Sequence, residues 1–249
     1  MAIVIKNADQ IEKMRAAGKV VKECFDLLET LIKPGVTTLE LDAEVEKLIR
    51  AKGGIPSFKG YRGFPASICA SPNDEVIHGI PNKKKLTEGD IISIDIGVCL
   101  DGYHGDAART FGVGVISDEA QNLIDVTKQS FFEGMKLANT NHFLNDVSTA
   151  IQKYVEQNDM SVVVDFVGHG IGQNLHEAPE IPNFRQMRKG PKLQVGMTLA
   201  IEPMVNLGSR DVVVLDDGWT VKTADGKLTA HYENTVLITD GDQPEILTL

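Results

Sequence analysis

Residues 91–111, IISIDIGVCLDGYHGDAARTF, decide how this chain folds. Asp101-Gly102 at their centre is the strongest short hairpin signal, because a two-residue primed turn needs positive φ at both positions. With Leu100 opposite Tyr103, the register sets Asp95 opposite Ala108 and Asp106 opposite Gly97. Side chains alternate faces along a strand, so Asp95, Asp106 and Ala108 share one face. The two carboxylates are then diagonal neighbours, roughly 7–8 Å apart at the backbone and able to converge at their tips. Two converging anions in a hairpin otherwise built from Ile91, Ile92, Ile94, Ile96 and Val98 require protonation or a bound cation.

Around this hairpin the chain offers 249 residues, 42% of them hydrophobic, enough for one large core or two smaller ones. A formal net charge of -10 disfavours broad attraction to a phosphate backbone, so DNA is not an expected partner. Cys24, Cys69 and Cys99 are too few and scattered for a disulfide framework, and no CxxC pair suggests structural zinc. The opening MAIVIKNADQ has too short an apolar run for a signal peptide, and no stretch approaches the roughly 18 apolar residues of a membrane span. A soluble, cytoplasmic enzyme with reduced thiols is expected.

Before the hairpin, Ile11, Met14, Val21, Cys24, Leu28 and Leu31 recur at helical spacing, and Pro34-Gly35 ends that helix. Thr37 and Glu40 form a capping box for a second helix, which Gly53-Gly54 stops. A loop with aromatic and glycine content, FKGYRGFPASICAS, and a short strand at Glu75–Ile77 lead to His78-Gly79. After Gly114 the same order restarts: helices over about 118–137 and 144–157, then the β-rich SVVVDFVGHGIG. Residues recur too. VIHGIP around His78 resembles VGHGIG around His169, GDIISIDIGV around Asp95 matches GMTLAIEPMV around Glu202, and HGDAART around Asp106 parallels HYENTVL around Glu233. The offsets of 91, 107 and 127 keep one order, so the reading is one catalytic domain over 1–249 with an internal repeat, about 8–114 and about 117–240.

If related halves face each other, Asp95 and Asp106 stand opposite Glu202 and Glu233, with His169 nearby. Four carboxylates are neutralised by two divalent cations, whereas one leaves a large uncompensated charge. Oxygen-rich ligation with one imidazole and no thiolate suits Mn, Fe(II), Co or Zn in a catalytic role, and a two-metal centre of this kind implies hydrolysis. Taken singly each residue has a plainer reading: Asp95 as a solvated strand residue, His169 as a core histidine, GHGIG as a phosphate loop. No Lys-Ser/Thr follows the last, so a nucleotide site is weakly supported. Lys83-Lys84-Lys85 reads first as a solvated loop.

The assembled motifs NDEVIHGIP, SIDIGV, DGYHGDAART, GHGIGQNLHEAPEIP, LAIEPMV and DDGWTVKTADGKLTAHYENTVLIT run over nearly the whole chain and resemble the type I methionine aminopeptidases of the short, bacterial form, in peptidase family M24. The resemblance implies an α/β (α+β) pita-bread fold of two pseudo-symmetric helix-helix-β halves around a central antiparallel sheet. It implies two divalent metal ions per chain (Co, Mn, Fe(II) or Zn), with Asp95 on one, His169 and Glu202 on the other, and Asp106 and Glu233 as bridges. The implied reaction is removal of the N-terminal methionine from nascent proteins and peptides with a small second residue. A bridging hydroxide attacks the scissile carbonyl, Glu202 shuttles the proton, His176 stabilises the oxyanion and His78 contacts the scissile amide. His78 and His176 are expected to titrate near physiological pH.

For the methionine side chain the resemblance points to Tyr61, Phe64, Cys69, Leu175 and Trp219, a setting suited to a flexible thioether. The chain departs from some relatives at Phe64, Leu175 and His231, the last standing where glutamine is common before the glutamate. No zinc-binding or proline-rich extension precedes the first helix, and no long helical insertion separates His176 from Glu202. Nascent chain N-termini are the expected partners, with the ribosome near its exit tunnel contacted through the lysine run, and a monomer is expected. The competing readings are an X-Pro aminopeptidase or prolidase of the same fold, a non-catalytic peptide-binding protein, and a metal store.

Overall fold

Asn7 and Thr37 start the first two helices in the same way. Each side chain accepts a hydrogen bond from the backbone N–H three residues on, and Gln10 or Glu40 reaches back to the N–H of the capping residue. In the computed structural model, which describes residues 2–249, helix α1 therefore runs Ala8–Leu31 and α2 Thr38–Ala51. Helices α3, Asp118–Met135, and α4, Leu144–Gln157, follow within two residues of the spans read from the sequence. None of these is long and apolar enough to cross a membrane.

The hairpin forms in the register that its turn dictates. Strand Ile91–Leu100 pairs antiparallel with Tyr103–Gly112, with Leu100 opposite Tyr103, Asp95 opposite Ala108 and Gly97 opposite Asp106. Asp101 and Gly102 both have positive φ, 49° and 78°. Alternation then divides the two faces. Ile92, Ile94, Ile96 and Val98 pack with Val21, Cys24 and Leu28 of α1 and Leu41, Val45 and Ile49 of α2, which leaves Ser93, Asp95 and Gly97 on the opposite face. Strand Cys69–Pro72 lies on the far edge of Ile91–Leu100 and sets Cys69 directly opposite Asp95.

The corresponding arms in the second half are not continuous. Thr198–Ile201 pairs with Asn234–Leu237, and Met204–Asn206 with Thr229–His231, so the ladder is interrupted where Glu202-Pro203 faces Tyr232-Glu233. Pro203 has no N–H to donate, and an interruption there re-aims the glutamates. Instead of a tight turn, residues 207–228 form a second small hairpin, Val212–Val214 with Val221–Thr223, whose second strand pairs with Glu75–Ile77 of the first half. Trp219 rides on the turn of that insertion. Behind the arms, Phe131, Met135, Val147 and Ile151 of α3 and α4 pack on Leu199, Ile201, Val236 and Ile238.

The two sets of arms meet along one antiparallel seam. Ala108 and Glu233 exchange backbone hydrogen bonds of 3.3 and 3.0 Å. On either side a threonine hydroxyl replaces the next ladder bonds: Thr110 donates to the His231 carbonyl and accepts from the His231 N–H, and Thr235 does the same with Asp106. Metal-ligand candidates from distant parts of the chain, on strands of separate sheets, are thus brought together along this seam.

Close strand packing around His169 sets a sharper requirement than the hairpin turn does. A Cβ on Gly168 would lie 2.3 Å from the Ala200 carbonyl oxygen, and one on Gly170 2.2 Å from that of Ala178, whereas Gly102 faces open space. Gly102→Ala is therefore expected to cost about 1–2 kcal/mol, the penalty of positive φ alone. Gly170→Ala should cost more, on the order of 3 kcal/mol or above, because backbone has to move. Urea unfolding of both variants checks this; equal losses would show that the approach of the strands at Gly170 is not limiting.

Candidate active site

Asp95 projects from the middle of its strand, Asp106 from the facing arm, and Glu202 and Glu233 from the two interruptions in the second half. His169 lies in the short strand Gly168–Gly170, which pairs with Thr198–Ile201. Atoms of Asp106, His169 and Glu233 lie within 4.8 Å of one another, and all three residues are buried. His169 Nε2 is 3.8 Å from Glu202 Oε1 and 4.0 Å from Asp106 Oδ2.

The tautomer of His169 follows from its other nitrogen. Nδ1 lies 2.9 Å from the Gly170 carbonyl oxygen, which can only accept, so Nδ1 carries the proton and the Nε2 lone pair faces the carboxylates. That is the form in which an imidazole binds a metal. Buried oxygens of Asp95, Asp106 and Glu233 have no hydrogen-bond partner. Among the described residues no lysine or arginine pairs with any of the four carboxylates. Arg109 comes close, but it bonds the Glu233 carbonyl and Asn234 Oδ1, and its guanidinium stacks 4.4 Å from the Tyr232 ring centroid. The donor set of carboxylate oxygens, one imidazole nitrogen and unpaired buried oxygens fits divalent cations.

Without such ions, burial and then the neighbouring carboxylates hold Asp106, Glu202 and Glu233 well above the usual carboxylate range. Burial likewise pushes Asp95 up to about 7. The same burial pushes His169 and His78 down to about 4. His176 also shifts down, through desolvation and then the nearby His169. The expectation that His78 and His176 titrate near physiological pH is therefore corrected: desolvation favours the uncharged imidazole, so both are neutral there.

All twelve residues singled out from the sequence line one cavity of about 140 Å³. This is well below the roughly 300–1,000 Å³ of sites for drug-sized ligands, and suits one side chain. The acidic cluster forms its floor. Phe64 meets Trp219 edge-on at 5.2 Å, His78 meets Trp219 at 6.3 Å, and Tyr61 stacks on His176 at 5.2 Å. Phe64, Cys69 and Leu175 are buried. Burial, then Asp95 and Asp106, keeps the Cys69 thiol well above its usual pKa, so it is a soft wall and not a thiolate nucleophile.

His78 has φ +60°, a left-handed conformation unusual outside glycine. Strain of that kind is tolerated where surrounding structure fixes a functional side chain. Two lining residues escaped the sequence reading, Phe58 and Arg62, both in the aromatic and glycine-rich loop. Arg62 also has positive φ, 49°, and lies over the Tyr61 ring. The density of aromatics in FKGYRGFP was the available signal. Lys83, Lys84 and Lys85 are exposed and outside the cavity.

The raised carboxylate pKa values make the metal-free protein pH-sensitive in a definite direction. Groups whose folded pKa lies above the unfolded value of roughly 4 favour folding at low pH, and that contribution is lost as pH rises through the folded pKa. Chelator-treated protein should therefore lose thermal stability between pH 5 and 8, and added Mn²⁺ should raise Tm more at pH 8 than at pH 5. Scanning calorimetry at several pH values checks this; a metal-induced shift that is independent of pH would contradict it.

The model of metallopeptidase family M24 matches residues 12–240 of the chain. A methionine aminopeptidase of Clostridium perfringens is 59% identical over 247 residues, 99% of each chain. The crystal structure of methionine aminopeptidase from Rickettsia prowazekii superposes with a TM-score of 0.97 at 41% identity, over 100% of both chains. A prolidase from Pyrococcus furiosus shares the fold alone, with a TM-score of 0.80 at 21% identity, and this chain covers 65% of its length. The architecture is the α/β pita-bread fold that the motifs implied, and use of divalent metal follows from the family and the carboxylate cluster. With a family match over most of its length and a relative 59% identical from end to end, the chain belongs to metallopeptidase family M24 and, within it, to the methionine aminopeptidases.

Proposed function

We propose that this protein is a metal-dependent exopeptidase that removes the N-terminal methionine from nascent proteins and peptides, with preference for a small second residue. The observation that carries this reading is the single cavity in which a buried acidic cluster with one metal-competent imidazole adjoins a pocket of sulfur, aromatic and aliphatic walls. In this reading Asp95, Asp106, His169, Glu202 and Glu233 hold two divalent ions, drawn from Co, Mn, Fe(II) and Zn. Bound divalent ions supply Lewis-acid polarisation of the scissile carbonyl and a nucleophile generated from water at neutral pH.

The side chains of the protein do the rest. Tyr61, Phe64, Cys69, Leu175 and Trp219 take the methionine thioether, whose flexible, polarisable chain fills a pocket of mixed aromatic edges and a thiol. Closing that pocket around one side chain orients the scissile carbonyl and excludes bulk water. The His176 ring, neutral and stacked on Tyr61, donates to the carbonyl oxygen as negative charge develops there. His78, held in its left-handed backbone conformation, contacts the scissile amide. Glu202 accepts the proton from the attacking water at a carboxylate oxygen and delivers it to the departing amine.

The halves about 8–114 and about 117–240 act as one catalytic domain in this reading. Support comes from the origin of the ligands: Asp95 and Asp106 stand in the first, His169, Glu202 and Glu233 in the second, and the Ala108–Glu233 pair joins them. We further place the protein in the cytoplasm as a monomer that meets nascent chains at the ribosome. Exposed Lys83, Lys84 and Lys85 are the proposed contact, a compact positive patch on a chain of net charge -10.

Chelated protein resupplied with each divalent metal should release methionine from Met-Ala-Ser and spare Met-Leu-Ser and Ala-Pro-Ser, as read by mass spectrometry. Cleavage of Ala-Pro-Ser would transfer the assignment to the proline-specific members of the fold, and silence on all three with metal bound would leave a binding role. Reversing the charge of Lys83, Lys84 and Lys85 should weaken co-sedimentation with ribosomes by roughly tenfold at low salt, given about 1.4 kcal/mol lost. Peptide hydrolysis should be unaffected. Unchanged sedimentation would remove these lysines as the contact.

A further inference from the structure

His231 is 2% exposed, and its Nε2 is a buried ring nitrogen with no hydrogen-bond partner. An acceptor stands 3.7 Å away, Oε2 of Glu202. The other oxygen of the same carboxylate, Oε1, lies 3.8 Å from His169 Nε2. The Glu202 carboxylate therefore sits between two imidazoles, one facing each oxygen. The two imidazoles differ in what they offer. His169 turns a lone pair toward the cluster because its proton is on Nδ1, whereas His231 is free to carry its proton on Nε2.

The backbone of His231 is fixed independently of its ring. Thr110 Oγ1 donates to the His231 carbonyl at 2.9 Å and accepts from the His231 N–H at 2.9 Å. With its one proton committed, that hydroxyl must accept from Ser93 Oγ, 2.8 Å away, so the whole chain of hydroxyls has a single sense. The backbone that carries the ring is thus anchored at the seam between the two halves. At 3.7 Å the contact is longer than a hydrogen bond. Hydrogen bonds at catalytic groups commonly tighten only once the site is loaded.

We infer that His231 is a positioning residue, which donates from Nε2 to Oε2 of Glu202 and so sets which oxygen of that carboxylate is turned to the rest of the cluster. This rests on the reading of Glu202 as a metal ligand and proton carrier. Groups that orient a ligating carboxylate typically contribute ~10–100-fold to metal affinity or activity. A glutamine amide presents an N–H at a similar reach, so a glutamine at this position separates the donor from the aromatic ring.

The test compares His231→Leu, which removes the donor at similar volume, with His231→Gln, which keeps one. Mn²⁺ affinity of chelator-stripped protein is read by titration calorimetry, and kcat and KM by release of methionine from Met-Ala-Ser. His231→Leu should bind Mn²⁺ ~10-fold or more weakly and lose kcat with KM little changed, and His231→Gln should recover both to within ~3-fold of the parent. Parent-like affinity in His231→Leu, or a His231→Gln variant as poor as His231→Leu, overturns the inference. If His231→Leu does not fold, His231→Asn replaces it, since its shorter amide cannot reach Glu202; equal affinities of the Asn and Gln variants would then overturn it. Calorimetry reads the ions directly, so a parent protein that binds Mn²⁺ without releasing methionine would count against the proposed function and leave the His231 result standing.

Discussion

Four carboxylates are gathered around one imidazole in the interior of this protein, and no lysine or arginine among the described residues reaches them. Two unit charges 4 Å apart at an effective dielectric of ~20 interact by about 4 kcal/mol. Several such repulsions would consume the 5–15 kcal/mol that ordinarily separates folded from unfolded chain. The cluster therefore folds only as neutral acids or around cations. Much else in the structure follows from holding those groups in place: the threonine hydroxyls of the seam, the half-buried Arg109 that secures the Glu233 carbonyl, and the glycines that let strands close on His169.

The same burial divides labour among the titratable groups. Desolvation raises the acids and lowers the histidines, so it opposes charge of either sign, and only a bound cation reverses the balance for the carboxylates. The neutral imidazoles can then ligate, donate or orient. They are distinguished by their contacts and not by pKa: His169 bonds the Gly170 carbonyl, His176 stacks on Tyr61, and the backbone of His231 is clamped by Thr110.

The rest of the cavity is built from a different layer of the chain. Its walls come from the loop between Phe58 and Cys69, from Leu175 beside His176, and from Trp219 on the inserted hairpin of residues 207–228. That insertion pairs with Glu75–Ile77, just ahead of His78, so one small sheet positions both an aromatic wall and a histidine. Its presence in the second half and absence from the first is what breaks the likeness of the two halves beside the cavity.

The sequence by itself determined the first hairpin completely. A primed turn at Asp101-Gly102 and a side-chain period of two leave one register, and that register places Asp95 and Asp106 on one face. The helix start at Thr37 was legible for the same reason, since caps are local chemistry. The internal repeat added His169, Glu202 and Glu233, and motif resemblance supplied His176 and the pocket residues Tyr61, Phe64, Cys69, Leu175 and Trp219. Only the tertiary structure decided the break at Glu202-Pro203, the left-handed backbone of His78, the inclusion of Phe58 and Arg62, the neutrality of the histidines and the approach of His231 to Glu202. Each of these depends on desolvation or on contacts between residues far apart in the chain, and neither quantity has a local signature in the order of the amino acids.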